Sequence, residues 1–385
     1  MRSIVLISLS VLFSRASTAQ TFSDLAIQKV LRDAAPIFGE YHNSNSLKAT
    51  WMKDYDDDTP ITAMNLPGTH DTSTWNYTRE TKHALEGLNR INDAGIMAPY
   101  LFYRCQSSPL IDMLNGGIRV FDLRFAFDVT NLTLVFYHGN ALQSETATVE
   151  DVLFGFYQWL DDHPTEALFL SFKDEGGTAK YVPDSAATQQ AIHNVLTSNH
   201  ARRYFVQAKN ELGTLGDTRG KITLFRRFSL DKIKGADLPG IYFPGSQWKD
   251  NSNNITLVYN SDKNLKAYIE DHYNVGGFDW PKIIQRKYNA TTVHLLEALK
   301  NEHSDDLFWT FASGGADIVG LYPEAMGLGS IVAETGVNKQ LLSFLKQHKG
   351  KHLGIVMYDF FKEDDGIVDA LLNLGSTSGI HYDLK

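Results

Sequence analysis

The stretch Gly117-Ile118-Arg119-Val120-Phe121-Asp122-Leu123-Arg124 is a mostly apolar run that ends in two opposite charges. Such a run predicts a buried strand, and residues two apart on a strand lie on the same face. Inward-facing charge on an apolar strand is costly unless it is paired. Asp122 and Arg124 therefore indicate a functional site at the end of this strand.

Two further apolar stretches end in histidine. They are Leu66-Pro67-Gly68-Thr69-His70-Asp71-Thr72 and Val135-Phe136-Tyr137-His138-Gly139. A histidine titrates near neutrality and can act as a base or as an acid. Two histidines and an arginine at adjacent strand ends suit phosphoryl transfer, which needs a base, an acid and a fixed positive charge on the phosphoryl oxygens.

Strand-like and helix-like segments alternate along the chain. The predicted strands are Ile61–Leu66, Ile118–Leu123, Leu132–Tyr137, Ala167–Phe172, Ile222–Phe225, Lys266–Ile269, Leu307–Phe311 and Leu353–Tyr358. The predicted helices are Phe22–Phe38, Val149–Asp162, Ala186–Thr197, Thr292–Asn301 and Asn338–Gln347. Near-continuous apolar strands separated by helices predict a parallel sheet covered on both faces, either a closed barrel or an open doubly wound sheet.

The distribution of charged and titratable residues favours the barrel. Nearly every predicted strand is followed by such a residue, namely His70, Asp122 with Arg124, His138, Lys173, Arg227, Asp271 and Asp359. An open sheet gathers its ligands at a switch point between a few strands, whereas a barrel gathers them from most strands at one rim. We predict an α/β fold, a distorted or incomplete (β/α)8 barrel of the TIM type, in a single domain.

The amino-terminal residues predict export. A short apolar stretch follows Arg2, and Ser17 and Ala19 are placed for signal-peptidase cleavage, although a buried amino-terminal helix would show a similar pattern. We expect a signal peptide over 1–19, a helical and acidic leader over 20–60 that packs on the barrel, and the catalytic barrel over 61–385. The protein is then secreted and extracellular.

Composition excludes some partners and constrains the covalent chemistry. The net charge is −9, and about −11 without the signal peptide, which argues against nucleic acid. Cys105 is the one cysteine, so no internal disulfide forms, and we expect a small buried apolar residue, since the local sequence Tyr103-Arg104-Cys105-Gln106 offers no base to activate it. Four sequons, at Asn76, Asn131, Asn254 and Asn289, fit a secreted glycoprotein. No obligate protein partner is indicated.

The motifs together resemble a known family. Trp51-Met52, the segments ending at Asp71 and Arg124, and Tyr137-His138-Gly139 are similar to the X-domain of the phosphatidylinositol-specific phospholipases C, above all the bacterial type and its secreted fungal relatives. The similarity extends over roughly residues 51–360, and the later motifs are looser. The resemblance implies a lipid phosphodiesterase on a distorted barrel: the inositol 2-hydroxyl attacks phosphorus, diacylglycerol leaves, and cyclic inositol phosphate forms.

The resemblance also implies roles for individual residues. His70 would be the general base, oriented by Asp359, and His138 the general acid, with Asp71 beside it. Arg124 would hold the phosphoryl oxygens, fixed by Asp122. The remaining similar positions would form the inositol pocket, and they are Lys173, Arg227, Asp271 and Tyr273. Arg226 lies beside Arg227, and the sequence leaves open which of the two faces the pocket.

The same comparison bears on metals and cofactors. Calcium-dependent members of the family carry Asn after the first histidine and an acid where Arg124 stands. This chain has Asp71 and Arg124, so the resemblance implies a built-in cation, with no metal and no cofactor. The expected partner is a phosphoinositide lipid, met transiently at a membrane surface. Aromatic residues that could insert there, if they are not buried in the core, are Trp75, Tyr77, Phe278 and Trp280.

Two other classes of function remain open. One is a metal-dependent phosphodiesterase of the glycerophosphodiester or sphingomyelinase D kind, which would need clustered acids where Arg124 stands. The other is a non-catalytic barrel that binds a lipid headgroup or a glycan. Binding alone does not require an acid–base pair, so retention of His70 and His138 favours the enzyme.

Overall fold

The structure is a computed structural model that describes residues 21–89, 97–175, 184–300, 306–315, 336–364 and 366–374. The predicted signal peptide, residues 1–19, lies outside these ranges. Among the residues described, no helix combines the length and the apolar composition needed to cross a membrane.

The described strands form one sheet that curves into a nearly closed barrel. In chain order the strands are β1 (Leu66–Thr69), β2 (Val120–Phe127), β3 (Leu134–His138), β4 (Ala141–Leu142), β5 (Leu168–Asp174), β6 (Ile222–Arg227), β7 (Ile241–Tyr242), β8 (Ser252–Asn260), β9 (Leu265–Asp271), β10 (Leu307–Phe311) and β11 (Ile355–Tyr358).

Eight of these strands are parallel and follow one another in chain order around the barrel. The order of pairing is β7-β6-β5-β2-β1-β11-β10-β9, and β8 adds to β9 as an antiparallel strand. In the part of the chain described, β7 and β8 are the two ends of the sheet and do not pair with each other. The prediction of an incomplete barrel is therefore confirmed, and the gap in the sheet lies beside β7.

Helices cover the outside of the barrel. They are α1 (Phe22–Phe38), α2 (Arg79–Asn89), α3 (Leu110–Asn115), α4 (Val149–Asp162), α5 (Ala186–Leu196), α6 (Asn199–Tyr204), α7 (Leu215–Thr218), α8 (Trp280–Ala298), α9 (Val337–Gln347) and α10 (Ile367–Leu372). Helices α1 and α4 have the predicted bounds, and each begins with a capping box, Thr21 with Asp24 and Thr148 with Asp151.

Two predicted strands are wrong. Ile61–Ala63 forms a turn of 3-10 helix and β1 starts only at Leu66, because short apolar runs do not distinguish a strand from other buried structure. The segment predicted as a barrel strand over Leu132–Tyr137 instead forms β3, antiparallel to the end of β2. The turn after β2 is too short for the crossover that a parallel strand requires.

Other strands and one helix were missed or shortened in the prediction. The two-residue β7 supplies the eighth parallel position, and β8 alternates exposed and buried residues as an antiparallel strand. The predicted helix Thr292–Asn301 is the end of the longer α8, and residue 301 lies outside the described residues. The number of parallel strands is eight, as predicted, but β7 takes the place that the prediction gave to Leu132–Tyr137.

Gly68 allows β1 to lie between its two neighbours. A Cβ at this position would approach Met357 Sδ to 2.4 Å and Val120 Cβ to 2.9 Å. The backbone of β1 therefore comes close to β2 and β11, with Gly68 beside Val120 and Met357 in the register. This close fit fixes the position of His70, two residues further along.

Arg119 connects the start of β2 to the preceding chain. Its fully buried guanidinium donates to Glu166 at 2.6 Å and to the carbonyl of Ala49 at 2.9 Å. It also lies over the rings of Trp159 and Trp51, at 4.8 and 5.6 Å from their centroids. The paired charges of Arg119 and Glu166 therefore fix the amino-terminal end of β2, and the candidate site lies toward its carboxyl end.

Candidate active site

A cleft of about 440 Å3 opens at the carboxyl ends of the parallel strands. Seven of the ten residues predicted from the sequence line it: His70, Arg124, His138, Lys173, Arg227, Asp271 and Tyr273. The other three, Asp71, Asp122 and Asp359, are buried directly behind these. The fold therefore brings all ten predicted residues to one end of the barrel.

His70 lies immediately after β1, between a donor and an acceptor. Arg124 Nη2 lies 2.8 Å from its Nε2, and Asp359 Oδ1 lies 2.9 Å from its Nδ1. A guanidinium can only donate, so Nε2 accepts and Nδ1–H donates to Asp359. These neighbours select the neutral ring with its lone pair on Nε2, which is the form that can take a proton.

The pKa of His70 reflects opposing effects. Burial lowers the pKa and the Arg124 charge lowers it further, but the charge and hydrogen bond of Asp359, helped by Asp71, raise it more. The net result is a pKa above the ordinary value for histidine. His70 is thus a stronger base than a free imidazole, and Asp359 is the main reason.

His138, at the end of β3, faces two acceptors instead. The carbonyl oxygen of Tyr103 lies 2.8 Å from Nδ1, and Asp71 Oδ2 lies 3.2 Å from Nε2. Neither oxygen can donate when Asp71 is ionised, so the ring that carries both protons satisfies both contacts. The surroundings of His138 therefore favour a ring able to give up a proton from Nε2.

Asp71 is held in an unusual conformation beside both histidines. It adopts the left-handed region with φ 43°, which aspartate tolerates better than most residues. Burial raises its pKa, as does Asp122, while Arg124 and His138 oppose the rise, and the net pKa lies above the ordinary value. Asp71 therefore binds a proton more readily than an ordinary aspartate, and its Oδ2 lies 3.2 Å from His138 Nε2.

Arg124 contacts His70 and the carboxylates of Asp122 and Asp71. Its Nε and Nη2 donate to Asp122 Oδ2 at 3.1 and 3.0 Å, and its Nη1 lies 3.1 Å from Asp71 Oδ2. Burial lowers the pKa of Arg124, but the surrounding carboxylates raise it well above its ordinary value. For Asp122, burial raises the pKa, but the charges of Arg124 and its cationic neighbours lower it by more, so the net pKa lies below the ordinary value. The centroids of the two histidine rings are 6.3 Å apart, and Arg124 contacts His70 directly and His138 through Asp71 Oδ2.

The remaining predicted residues line the adjoining part of the cleft. Arg227 lies over the ring of Trp248, with the guanidinium carbon 3.8 Å from the centroid, and its Nη2 lies 3.8 Å from Asp271 Oδ2. Arg226 instead lies over the ring of Tyr242, at 3.8 Å, and does not line the cleft. The structure thus places Arg227 in the pocket and Arg226 outside it.

Several residues of the cleft were not predicted. Glu175 Oε2 lies 3.0 Å from Lys173 Nζ and 3.6 Å from Arg124 Nη1, and Asp250 accepts from the Tyr273 hydroxyl at 3.1 Å. Glu175 could have been found, because it follows Lys173 by two. Trp248 and Asp250 lie in a loop without a motif, and Tyr103 acts through its backbone carbonyl, so none of these three residues gives a sequence signal.

The thiol of Cys105 is buried, as predicted, and the base that lies beside it comes from β3 and not from the local sequence. Its Sγ lies 3.8 Å from His138 Nδ1. Burial and nearby carboxylates raise the pKa of this thiol well above its ordinary value, so the thiolate nucleophile is disfavoured. The fold, and not the local sequence, brings these two side chains together.

Among the residues that the structure describes, two groups of three side chains have ligand atoms close enough to hold a metal ion. They are His70 with Cys105 and Asp359, and Asp71 with Cys105 and His138, each with ligand atoms within 4.8 Å of one another. Both groups need the Cys105 sulfur, and the guanidinium of Arg124 contacts Asp71 in the second group. Arg124 therefore places its positive charge 3.1 Å from Asp71 Oδ2, a candidate ligand of the second group.

Comparison with known proteins agrees with this geometry. Residues 94–228 match the family "Phosphatidylinositol-specific phospholipase C, X domain", a range that includes Arg124, His138, Lys173 and Arg227. A 1-phosphatidylinositol phosphodiesterase of Staphylococcus aureus is 26% identical over 309 residues, which cover 76% of this chain and 86% of the relative. The chain is homologous to the bacterial 1-phosphatidylinositol phosphodiesterases.

Other relatives and solved structures extend the comparison. A 1-phosphatidylinositol phosphodiesterase of Listeria monocytogenes is 29% identical over 175 residues, 45% of this chain and 47% of the relative. A structure of the phosphatidylinositol-specific phospholipase C of S. aureus superimposes with a TM-score of 0.66 at 19% identity, over 85% of this chain and 97% of that one. This superposition confirms the fold.

The pKa of His70 provides a test of the geometry that does not depend on activity. Replacing Asp359 by Asn keeps a hydrogen-bond acceptor but removes the charge that raises the pKa, so the pKa of His70 should fall. NMR titration of the labelled imidazoles measures it. His294, whose pKa burial lowers to about 4, makes no contact with Asp359 and serves as the control. An unchanged His70 titration would show that Asp359 does not set the basicity of His70.

Proposed function

We propose that this chain is a phosphoric diester hydrolase and lyase that cleaves phosphatidylinositol to diacylglycerol and cyclic inositol phosphate. Homology to the bacterial phosphodiesterases supports the substrate and the reaction. The observation that carries the mechanism is the opposite surroundings of His70 and His138. One ring is held as a base and the other as an acid, as the transfer of one phosphoryl group requires.

The proposed reaction begins at His70. The inositol 2-hydroxyl replaces Arg124 at His70 Nε2 and gives its proton to that nitrogen, while its oxygen forms a bond to phosphorus. The bond between phosphorus and the glycerol oxygen breaks, and His138 Nε2 gives its proton to that oxygen. Arg124, released from His70, donates to the phosphoryl oxygens and neutralises their charge in the transition state.

The cyclic product can be hydrolysed with the roles reversed. His138, now neutral, takes a proton from water, the water oxygen attacks phosphorus, and His70 returns a proton to the 2-oxygen as the ring opens. Lys173, Arg227, Asp271 and Tyr273 are proposed to grip the inositol hydroxyls, since they line the cleft beside the histidines. The same pocket could accept the inositol of a glycan-anchored lipid.

We further propose that the reaction needs no metal and that the protein is secreted and acts at a membrane surface. Arg124 supplies the charge that a metal would supply. Of the four candidate aromatic residues, Phe278 is 74% exposed and is the contact that we propose. Tyr77 is buried, the Trp75 indole donates to the Ile37 carbonyl, and Trp280 packs partly against the core. Sedimentation with phosphatidylinositol vesicles tests the membrane contact, and the amino-terminal sequence of protein from the medium tests secretion.

The reaction itself is tested by phosphorus NMR with phosphatidylinositol vesicles. Cyclic inositol phosphate should appear as the first product, because the attacking group is the substrate's own hydroxyl, held in place and favoured by proximity. A substrate whose 2-hydroxyl is methylated should bind but should not turn over. Efficient cleavage of the methylated substrate would show that water attacks directly, and the chain would then be an ordinary phosphodiesterase.

The two histidines should differ in how their loss is rescued. His70→Ala and His138→Ala should each lower kcat by at least about a hundredfold, the usual scale for general acid–base catalysis. A substrate with a far more acidic leaving group needs little help from an acid, so it should restore part of the activity of His138→Ala and none to His70→Ala. Rescue of His70→Ala alone would reverse the roles of acid and base. Rescue of both variants would mean that the leaving group does not distinguish an acid from a base in this site.

The role of Arg124 separates this mechanism from a metal-dependent one. Activity should survive exhaustive chelation, and Arg124→Lys should lose at least about a hundredfold in kcat, because a single ammonium cannot replace the planar fork. Arg226→Lys is the matched control, since Arg226 lies outside the cleft, and it should keep near-normal turnover. Activity lost to a chelator and restored by calcium would contradict metal independence.

A further inference from the structure

A buried ion pair lies behind the proposed inositol pocket, outside the cleft. Lys287 Nζ, on α8, lies 2.7 Å from Glu270 Oε1, on β9, and both side chains are fully buried. Neither residue lines the cleft. Such pairs are weak contributors to stability, because the cost of desolvating both charges offsets their attraction. Two apolar side chains would fill the same space, so the pair requires another explanation.

The explanation lies in a second contact made by the same oxygen. Glu270 Oε1 also accepts the backbone N–H of His272, at 3.0 Å. His272 is the middle residue of a segment that we name the rim segment, Asp271–Tyr273. Alternate residues of a strand face opposite sides, so Glu270 points toward α8 while Asp271 points into the cleft. One carboxylate oxygen therefore joins α8 to the backbone of the rim segment.

Both ends of the rim segment carry groups that face the cleft. Asp271 Oδ2 accepts from the Trp248 indole at 2.8 Å, and the Tyr273 hydroxyl donates to Asp250. Just beyond the segment, the Asn274 N–H donates to Asn251 Oδ1 at 2.8 Å. The far end is thus held by Asn251, and the bond from His272 to Glu270 holds the middle.

We infer that Glu270 is a positioning residue for substrate binding, and that its bond to the rim segment sets the orientation of Asp271 and Tyr273 toward the headgroup. This inference rests on the proposed function for the identity of the headgroup. Glu270 fixes the His272 N–H, and Lys287 supplies the counter-charge that allows the Glu270 carboxylate to be buried there. Neither side chain contacts the substrate, so their effect falls on headgroup binding and not on the chemical step.

Two double variants separate the hydrogen bond from the charges. Glu270→Gln with Lys287→Met removes both charges but keeps a side-chain oxygen for the His272 N–H. Glu270→Met with Lys287→Met is nearly isosteric and lacks that oxygen. Replacing both members of a buried ion pair is usually tolerated, whereas replacing one is not. If the Met/Met protein does not fold, as judged by its thermal transition, Leu at both positions provides the same comparison.

The first measurement is hydrogen exchange of the His272 amide in the protein alone. Loss of one backbone hydrogen bond should make exchange about tenfold faster in Met/Met than in Gln/Met. The second is turnover of a soluble short-chain phosphatidylinositol. KM should rise about five- to tenfold in Met/Met and stay within about twofold in Gln/Met, while kcat changes by less than about threefold in both.

The outcomes distinguish this inference from the proposed function. Equal exchange rates and equal KM values in the two variants would overturn the inference even if the wild-type enzyme is active. A fall in kcat with an unchanged KM would also overturn it, because the pair would then act on the chemistry. If wild-type protein failed to cleave phosphatidylinositol, the proposed function would fail, and hydrogen exchange would still decide whether Glu270 holds the rim segment.

Discussion

Three cations on adjacent strands lie side by side at one level of the barrel, and the arrangement of the site depends on their repulsion. The register pairs Arg124 of β2 with Lys173 of β5, and Lys173 with Arg227 of β6. Neighbouring strands are about 5 Å apart, so these positive charges cannot stay close together in a buried place without acids between them. The fold supplies Asp122 between Arg124 and Arg227, and Glu175 beside Lys173.

This balance of charge explains why the site can bind an anion and still be stable without one. Each cation of the row has a carboxylate partner, so the empty cleft carries no large unpaired charge. The partners are ionisable groups that line the cleft, as Glu175 does, or lie directly behind it, as Asp122 does, and a phosphodiester can share the same donors. His70 and His138 flank this row and differ only in what surrounds them, a donor and an acceptor for one and two acceptors for the other. Acid and base are therefore assigned by neighbours and not by residue type.

The sequence predicted the site better than it predicted the strands. Residues at strand ends could be found because a charge after an apolar run is unusual, and His70, Arg124 and Asp359 all follow that pattern. Strand pairing could not be found in the same way. Whether Leu134–His138 pairs parallel or antiparallel depends on the length of the turn before it, and β7 is too short to produce a pattern.

Contacts made by backbone atoms and by distant loops lie beyond sequence reasoning. The Tyr103 carbonyl fixes the proton on Nδ1 of His138 and leaves Nε2 to face Asp71, but any residue at that position would offer a carbonyl. Trp248 enters the cleft from a loop of some nine residues between β7 and β8, where nothing in the local sequence marks it. The choice of Arg227 over Arg226 followed only from the strand register, because a shift of one residue reverses which side chain faces inward.

Arg119, directly before β2, and Arg124, within β2, show what makes a buried cation functional. Arg119 donates to Glu166 and to four backbone carbonyls, those of Leu114, Ile118, Lys48 and Ala49. Carbonyls that lie in a packed core cannot be exchanged for a ligand, so Arg119 can only stabilise the fold. Arg124, five residues further along the chain, contacts carboxylates and an imidazole, and its side chain is 12% exposed to the cleft. Those partners can change protonation or be displaced by a phosphoryl oxygen. A single strand thus holds the barrel at one end and carries an exchangeable cation at the other.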